Sequence, residues 1–222
     1  HLRDLVQVFV AEKHWEGCGG LTLTDEMKHT IAAQACLLVL ALPHRLYENV
    51  ESILVYPSTV VRPRERAGVF VQPLDLIERG QVALFGEAHH GGPVVLAWDR
   101  VLRDGKRPAD GHNLVYHEFA HKLDMLDGDA DGTPPLASRD ERERWHEVCE
   151  RAFLALRARI ERGRQSVIDE YGATDEAEFF AVVTEHFFDQ PHELQEAEPD
   201  LYAILREFYR QDPGARAAAS RA

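Results

Sequence analysis

The chain has 222 residues, of which 45% are hydrophobic and 28% charged, and 25 Lys+Arg against 38 Asp+Glu give a formal net charge of −13. This is the composition of a soluble globular protein with one substantial core, and its surplus of acid argues against direct binding of a nucleic-acid phosphate backbone. The longest apolar run, Ile31 to Leu42, covers 12 residues and falls well short of the roughly 20 needed to cross a bilayer.

Leu2, Leu5, Val6 and Phe9 recur at helical spacing and predict an amphipathic helix over 2–14, closed by the Gly17-Cys18-Gly19-Gly20 turn. Thr24 with Asp25 and Glu26 opens a second helix, which runs to about Leu42 and ends at Pro43. Ser52 to Pro57 has strand composition, and residues 61–68 read as a basic, solvated loop. Gln81–Phe85 and Pro93–Trp98 read as strands flanking a turn that contains His89-His90, two neighbours poorly placed to share one ion. Pro93–Trp98 is the candidate edge strand for an extended substrate. The cysteines, Cys18, Cys36 and Cys149, are odd in number and widely spaced, which points to a reducing, cytoplasmic setting. The chain starts at His1 rather than Met, which leaves room for a targeting segment upstream.

A helix is expected from about residue 111 to Leu126, and it carries His117-Glu118-Phe119-Ala120-His121. Histidines at i and i+4 share one helix face, so both imidazoles can bind one cation while Glu118 leans over the same site as general base. A helix that also carries Leu114, Val115, Phe119 and Leu123 should be buried, and buried imidazoles need partners that a metal can supply. The following Asp127-Gly128-Asp129-Ala130-Asp131-Gly132 matches the first half of a calcium loop. Its twelfth position is Ser138 and Pro134-Pro135 interrupts the exit, so it reads as a polar turn closing the helix. Ser138 with Glu141 caps a long charged helix to about Arg162. A final pair is expected at about 174–189, with Thr174 as N-cap, and 199–211, before a frayed tail over 212–222.

Two histidines leave a catalytic metal one protein ligand short. Asp127 is one option, but Asp124 stands where a glycine would be needed to turn the chain back. A carboxylate from the helix after Tyr171 is the other option. Glu178 and Glu185 lie two turns apart, roughly 10.5 Å along the axis, so only one should reach the ion. Glu178, nearer the helix start, is favoured, with His186 a weaker competitor. Tyr171 could donate to a developing oxyanion, or could be a buried tyrosine with a backbone partner.

His117 to Asp124, Gly92-Pro93-Val94-Val95-Leu96, Leu23 to Met27 with Ile31 to Cys36, and Tyr171 to Asp175 with Glu178 to Ala181 together resemble the Mlc titration factor A family, in matching order over nearly the whole chain. The resemblance implies a cytoplasmic zinc peptidase of the gluzincin type with aminopeptidase-like activity. Its metal core would be similar to that of the anthrax lethal factor catalytic domain. It also implies a protein partner, the repressor Mlc of sugar phosphotransferase genes. Carried over by position, His117, His121 and Glu178 become the zinc ligands, Glu118 the base and Tyr171 the group that steadies the oxyanion. The expectation is one α+β, zincin-like domain over 1–222. Helices and sheet would occupy 1–107, and the metal helix with its C-terminal helical part 108–211. A small twisted sheet would lie beside the metal helix. The competing expectation is a non-catalytic repressor-binding protein whose metal is structural or vestigial.

Overall fold

The structure, a computed structural model, describes residues 1–42, 47–58 and 92–219. Its elements are α1 (Leu2–Glu12), β1 (His14–Gly17), α2 (Asp25–Leu38), β2 (Ser52–Tyr56), β3 (Val94–Ala97) and α3 (Trp98–Lys106), then a 3-10 turn at Pro108–Asp110 and α4 (Leu114–Asp124). After α4 come α5 (Arg139–Glu161), a second 3-10 turn at Glu170–Ala173, α6 (Glu176–Asp189), α7 (Pro191–Ala197), α8 (Pro199–Tyr209) and α9 (Pro213–Ala219). The fold is α+β and mainly helical, with a three-stranded sheet among the described residues. The expected strand at 81–85, the basic stretch 61–68 and the His89-His90 turn lie outside the described residues.

All three strands run parallel in the order β1-β2-β3, with His14 opposite Ser52 and Ile53 opposite Val94. Parallel neighbours need a long crossover, and α2 supplies the one between β1 and β2. Among the described residues β3 pairs on one side only. The helix expected over 2–14 ends instead at Glu12. Lys13 is extended, at φ −86° and ψ 144°, and His14–Gly17 leaves to join the sheet. The helix expected to reach Leu42 stops at Leu38, where the Gln211 amide donates to the carbonyls of Leu37 at 2.8 Å and Leu38 at 3.4 Å.

Three further boundaries differ from expectation. The N-cap of α6 is Asp175, whose side chain accepts from Glu178 N at 2.9 Å, while Thr174 bonds back to Tyr171 O at 2.7 Å. Pro191 starts a separate short helix, α7. The tail is helical over Pro213–Ala219 because Asp212 accepts from Ala215 N at 3.0 Å and from the Tyr202 hydroxyl at 2.7 Å.

Helix α4 runs through the middle of the core, and nine of its eleven residues are buried. On the side away from the histidines, Phe119 is fully buried with its ring centroid 4.8 Å from that of Tyr47 and 5.7 Å from that of Phe9. Burying one such ring contributes about 1.5–3 kcal/mol and fixes the rotation of α4 about its axis. The DxDxDG segment is a turn clamped onto the helix end. Gly132 N donates to Asp124 Oδ2 at 2.9 Å, and Trp145 Nε1 donates to Gly132 O at 3.0 Å. Gly132 has φ +76°, and a Cβ there would lie 2.3 Å from Glu176 O, so only glycine fits.

Candidate metal centre

The start of α4 is fixed from three sides. Asn113 caps it by accepting from Tyr116 N at 3.1 Å, Asp104 of α3 accepts from Leu114 N at 3.1 Å, and Glu185 of α6 accepts from Asn113 N at 2.5 Å. Because α4 packs along α6, His117, Glu118 and His121 face Glu178 and Glu185. Nε2 of His117 and Nε2 of His121 lie 3.2 Å apart. Glu178 Oε2 lies 3.0 Å from the first and 3.5 Å from the second. One ligand atom from each of these three residues falls within 4.8 Å of the others, and no other such cluster forms among the described residues. The aspartates of the DxDxDG turn are not gathered into one, and Asp127 is exposed. His186 is buried but bonded through Nδ1 to Val182 O at 3.0 Å.

The donor chemistry fits a cation. His117 Nδ1 donates to Glu185 Oε1 at 2.8 Å, so in the neutral ring Nε2 carries a lone pair and faces a second imidazole nitrogen. Glu178 Oε2, although close to both rings, receives no aligned hydrogen bond, and neither does the buried Glu118 Oε1. Acceptors crowded in this way need positive charge among them, which a proton on His117 supplies in the metal-free protein and a cation could supply in its place. Burial lowers the basicity of His117, but Glu178, Glu185 and Glu118 outweigh it and raise its pKa to about 10. Burial likewise works against ionised Glu178, yet His117 and His121 hold its pKa down to about 2. The pocket therefore concentrates negative charge around two imidazoles, an environment that stabilises a metal ion.

Glu118 is 6% exposed, and its burial raises its pKa against the opposing pull of His117 and His121. Tyr171 sits in the 3-10 turn before α6, where Asp169 Oδ1 accepts from its N–H at 2.8 Å. Its ring centroid is 5.9 Å from that of His117. Burial and the neighbouring Glu178 keep its hydroxyl protonated well above the usual phenol range. The five residues singled out in the sequence are thus neighbours: His117, His121 and Glu178 converge, Glu118 lies close enough to feel all three, and Tyr171 stands beside His117. Glu185 is the residue whose part the sequence reading missed: it grips the far nitrogen of His117. The signal was its spacing of two turns from Glu178.

Comparison with known proteins places this geometry in context. Residues 1–210 match the family described as glucose-regulated metallo-peptidase M90. The chain is 40% identical over 214 residues to an uncharacterised protein of Synechocystis, covering 96% of this chain and 76% of that one. It is 35% identical over 218 residues to Mlc titration factor A of Pectobacterium atrosepticum, covering 97% and 80% of the two chains. It is 38% identical over 200 residues to Mlc titration factor A of Serratia proteamaculans, covering 89% and 74%. These relationships span nearly the whole chain, which belongs to the glucose-regulated metallo-peptidase M90 family.

Proposed function

We propose that the chain is a zinc-dependent peptidase with a single zincin-like domain, acting in the cytoplasm with aminopeptidase-like activity on small substrates. The observation that carries this reading is the convergence of His117 Nε2, His121 Nε2 and a Glu178 oxygen beside the buried, unpartnered Oε1 of Glu118. Donors at the corners of a tetrahedron about 2.0–2.1 Å from zinc are about 3.3–3.4 Å apart. The separations of 3.2, 3.0 and 3.5 Å support that ion. Three protein ligands also suit a catalytic rather than a closed, structural site.

When bound, the metal supplies Lewis-acid polarisation of the scissile carbonyl and acidifies water. Glu118, buried and raised in pKa, accepts the water proton and hands it to the leaving amine. Tyr171 donates its hydroxyl proton in a hydrogen bond to the developing oxyanion. Glu185 fixes the tautomer of His117 so that Nε2 carries the lone pair. The edge of β3 that is unpaired among the described residues is the surface on which an extended peptide would add as a strand.

A second reading, binding and titration of an Mlc-type repressor, is supported by the name of the relatives. The test is metal analysis combined with hydrolysis of an aminoacyl-chromophore panel, with and without chelator. The zinc-loaded protein should cleave and the stripped protein should not. Glu118→Gln should retain zinc and lose turnover. Cleavage by that variant at the unmutated rate would remove Glu118 as base, and zinc-loaded protein that never cleaves would favour the binding reading alone.

A further inference from the structure

We propose that the cavity beside His117 is a substrate subsite that selects a peptide carboxylate through Arg100, an inference that rests on the peptidase reading of the adjoining centre. The cavity has a volume of about 540 Å³, within the range of small-ligand sites. His117 and Tyr171 form part of its wall, whereas Glu118, His121 and Glu178 do not, so a molecule filling it meets the proposed centre at those two residues. Leu114, Ile160 and Val182 supply an apolar surface that suits the methylene stem of a side chain or the body of a short peptide.

The charged groups on the wall are not equally free. Glu185 spends both oxygens, on His117 Nδ1 and on Asn113 N. Asp169 accepts from Tyr171 N through Oδ1, and its Oδ2 lies 3.8 Å from His112 Nε2. Glu170 is exposed to water. Arg100, by contrast, makes no ion pair within 4.0 Å among the described residues, and its Nε is buried without a hydrogen-bond partner. Asp104, one turn further along α3, feels its charge but has already committed Oδ2 to Leu114 N.

The guanidinium of Arg100 lines the cavity without an ion pair among the described residues, and such a group calls for an acceptor. A carboxylate is the group whose two oxygens match the fork of an arginine. The position of Arg100 strengthens the point. It lies in the first turn of α3, directly after β3, and so joins the candidate peptide-binding edge to the centre. The required carboxylate has two possible sources in a peptide: an Asp or Glu side chain, or the free C-terminus.

Isothermal titration with the zinc-loaded Glu118→Gln protein measures binding without turnover. Tetra-alanine amides carrying Glu or Gln at each position in turn test the side chain, and the tetra-alanine free acid against its amide tests the terminus. At least one carboxylate peptide should bind about tenfold or more tightly than its neutral counterpart, and the responding arm identifies the source. Arg100→Gln in the same background should abolish the difference. Arg100→Lys, which keeps the charge but not the fork, should retain only part of it, and thermal unfolding checks that both variants fold. Equal binding of acid and neutral peptides, or a preference that survives Arg100→Gln, overturns the proposal. Cleavage by the unmutated protein without carboxylate preference removes the subsite and leaves the peptidase reading standing, whereas preference without cleavage does the reverse.

Discussion

Replacing Glu185 by Gln tests how the centre is held. The wild-type carboxylate faces two donors, His117 Nδ1–H at 2.8 Å and Asn113 N–H at 2.5 Å. A glutamine offers one acceptor and one donor, so whichever way its amide is turned, one of those N–H groups meets an NH₂ and loses its partner. Leaving one buried donor unmatched costs about 1–3 kcal/mol, and charged partners lie at the upper end. If the amide oxygen keeps His117, the loss falls on the start of α4. If it keeps Asn113, the His117 ring is free to turn or change tautomer. Loss of such an outer partner typically weakens metal binding about 10–100-fold. The expected outcome is both effects together: a metal-free protein about 1–3 kcal/mol less stable in urea, and a zinc dissociation constant raised about 10–100-fold in chelator competition. A folded Glu185→Gln protein with wild-type zinc affinity would refute the claim that this carboxylate presents Nε2 to the metal.

Other consequences can be measured in the same preparations. Glu178→Ala removes one of three converging donors, so zinc retention after dialysis should fall by orders of magnitude, as read by elemental analysis. Tyr171→Phe keeps the ring against His117 but removes the donor, so kcat for a chromogenic substrate should fall about 10²–10³-fold while zinc content is unchanged. Burial, opposed by the Gly132 N–H, raises the Asp124 pKa from the ordinary 3.8 to about 7. The folded value lies above the unfolded one, so this group's contribution is whole below about pH 4 and is lost as pH rises through about 7. In urea titrations of metal-free protein, the stability of wild type relative to Asp124→Asn should therefore decline from pH 4 to pH 8, and a flat difference would contradict it.

Much of the centre could be read from the sequence because its parts are local. His117, Glu118 and His121 need only one turn of helix, and Leu114, Val115, Phe119 and Leu123 announce that the helix is buried. The strands at 52–56 and 94–97 were legible as short apolar runs, whereas β1 was hidden because His14–Gly17 is too short and too polar to announce a strand. The ends of α2 and α9 depend on partners distant in sequence or on a competing cap. Gln211 closes α2 from 173 residues away at Leu38, and Asp212 turns a polar tail into helix. Propensity within a window carries no record of the Gln211 contact, whereas the Asp212 cap is local and Asp212-Pro213 is itself a helix-start signal.

The pairing of Glu178 with Glu185 shows where helical spacing alone falls short. Seven residues separate them by roughly 10.5 Å along α6, which predicts that only one reaches the ion, and among the described residues it is Glu178 that falls beside both imidazoles. An imidazole, however, has two nitrogens on opposite edges. His117 lies across the interval with Nε2 against Glu178 at 3.0 Å and Nδ1 against Glu185 at 2.8 Å. One ring of α4 thus engages both carboxylates of α6, and the second carboxylate also holds the cap residue Asn113 of that same helix. A rotation of α4 large enough to move His117 would break the Glu185 contacts and displace Phe119 from Tyr47 on the other side. The geometry of the three converging ligand atoms is therefore set by packing and hydrogen bonds on both faces of α4, which holds them together before any cation arrives.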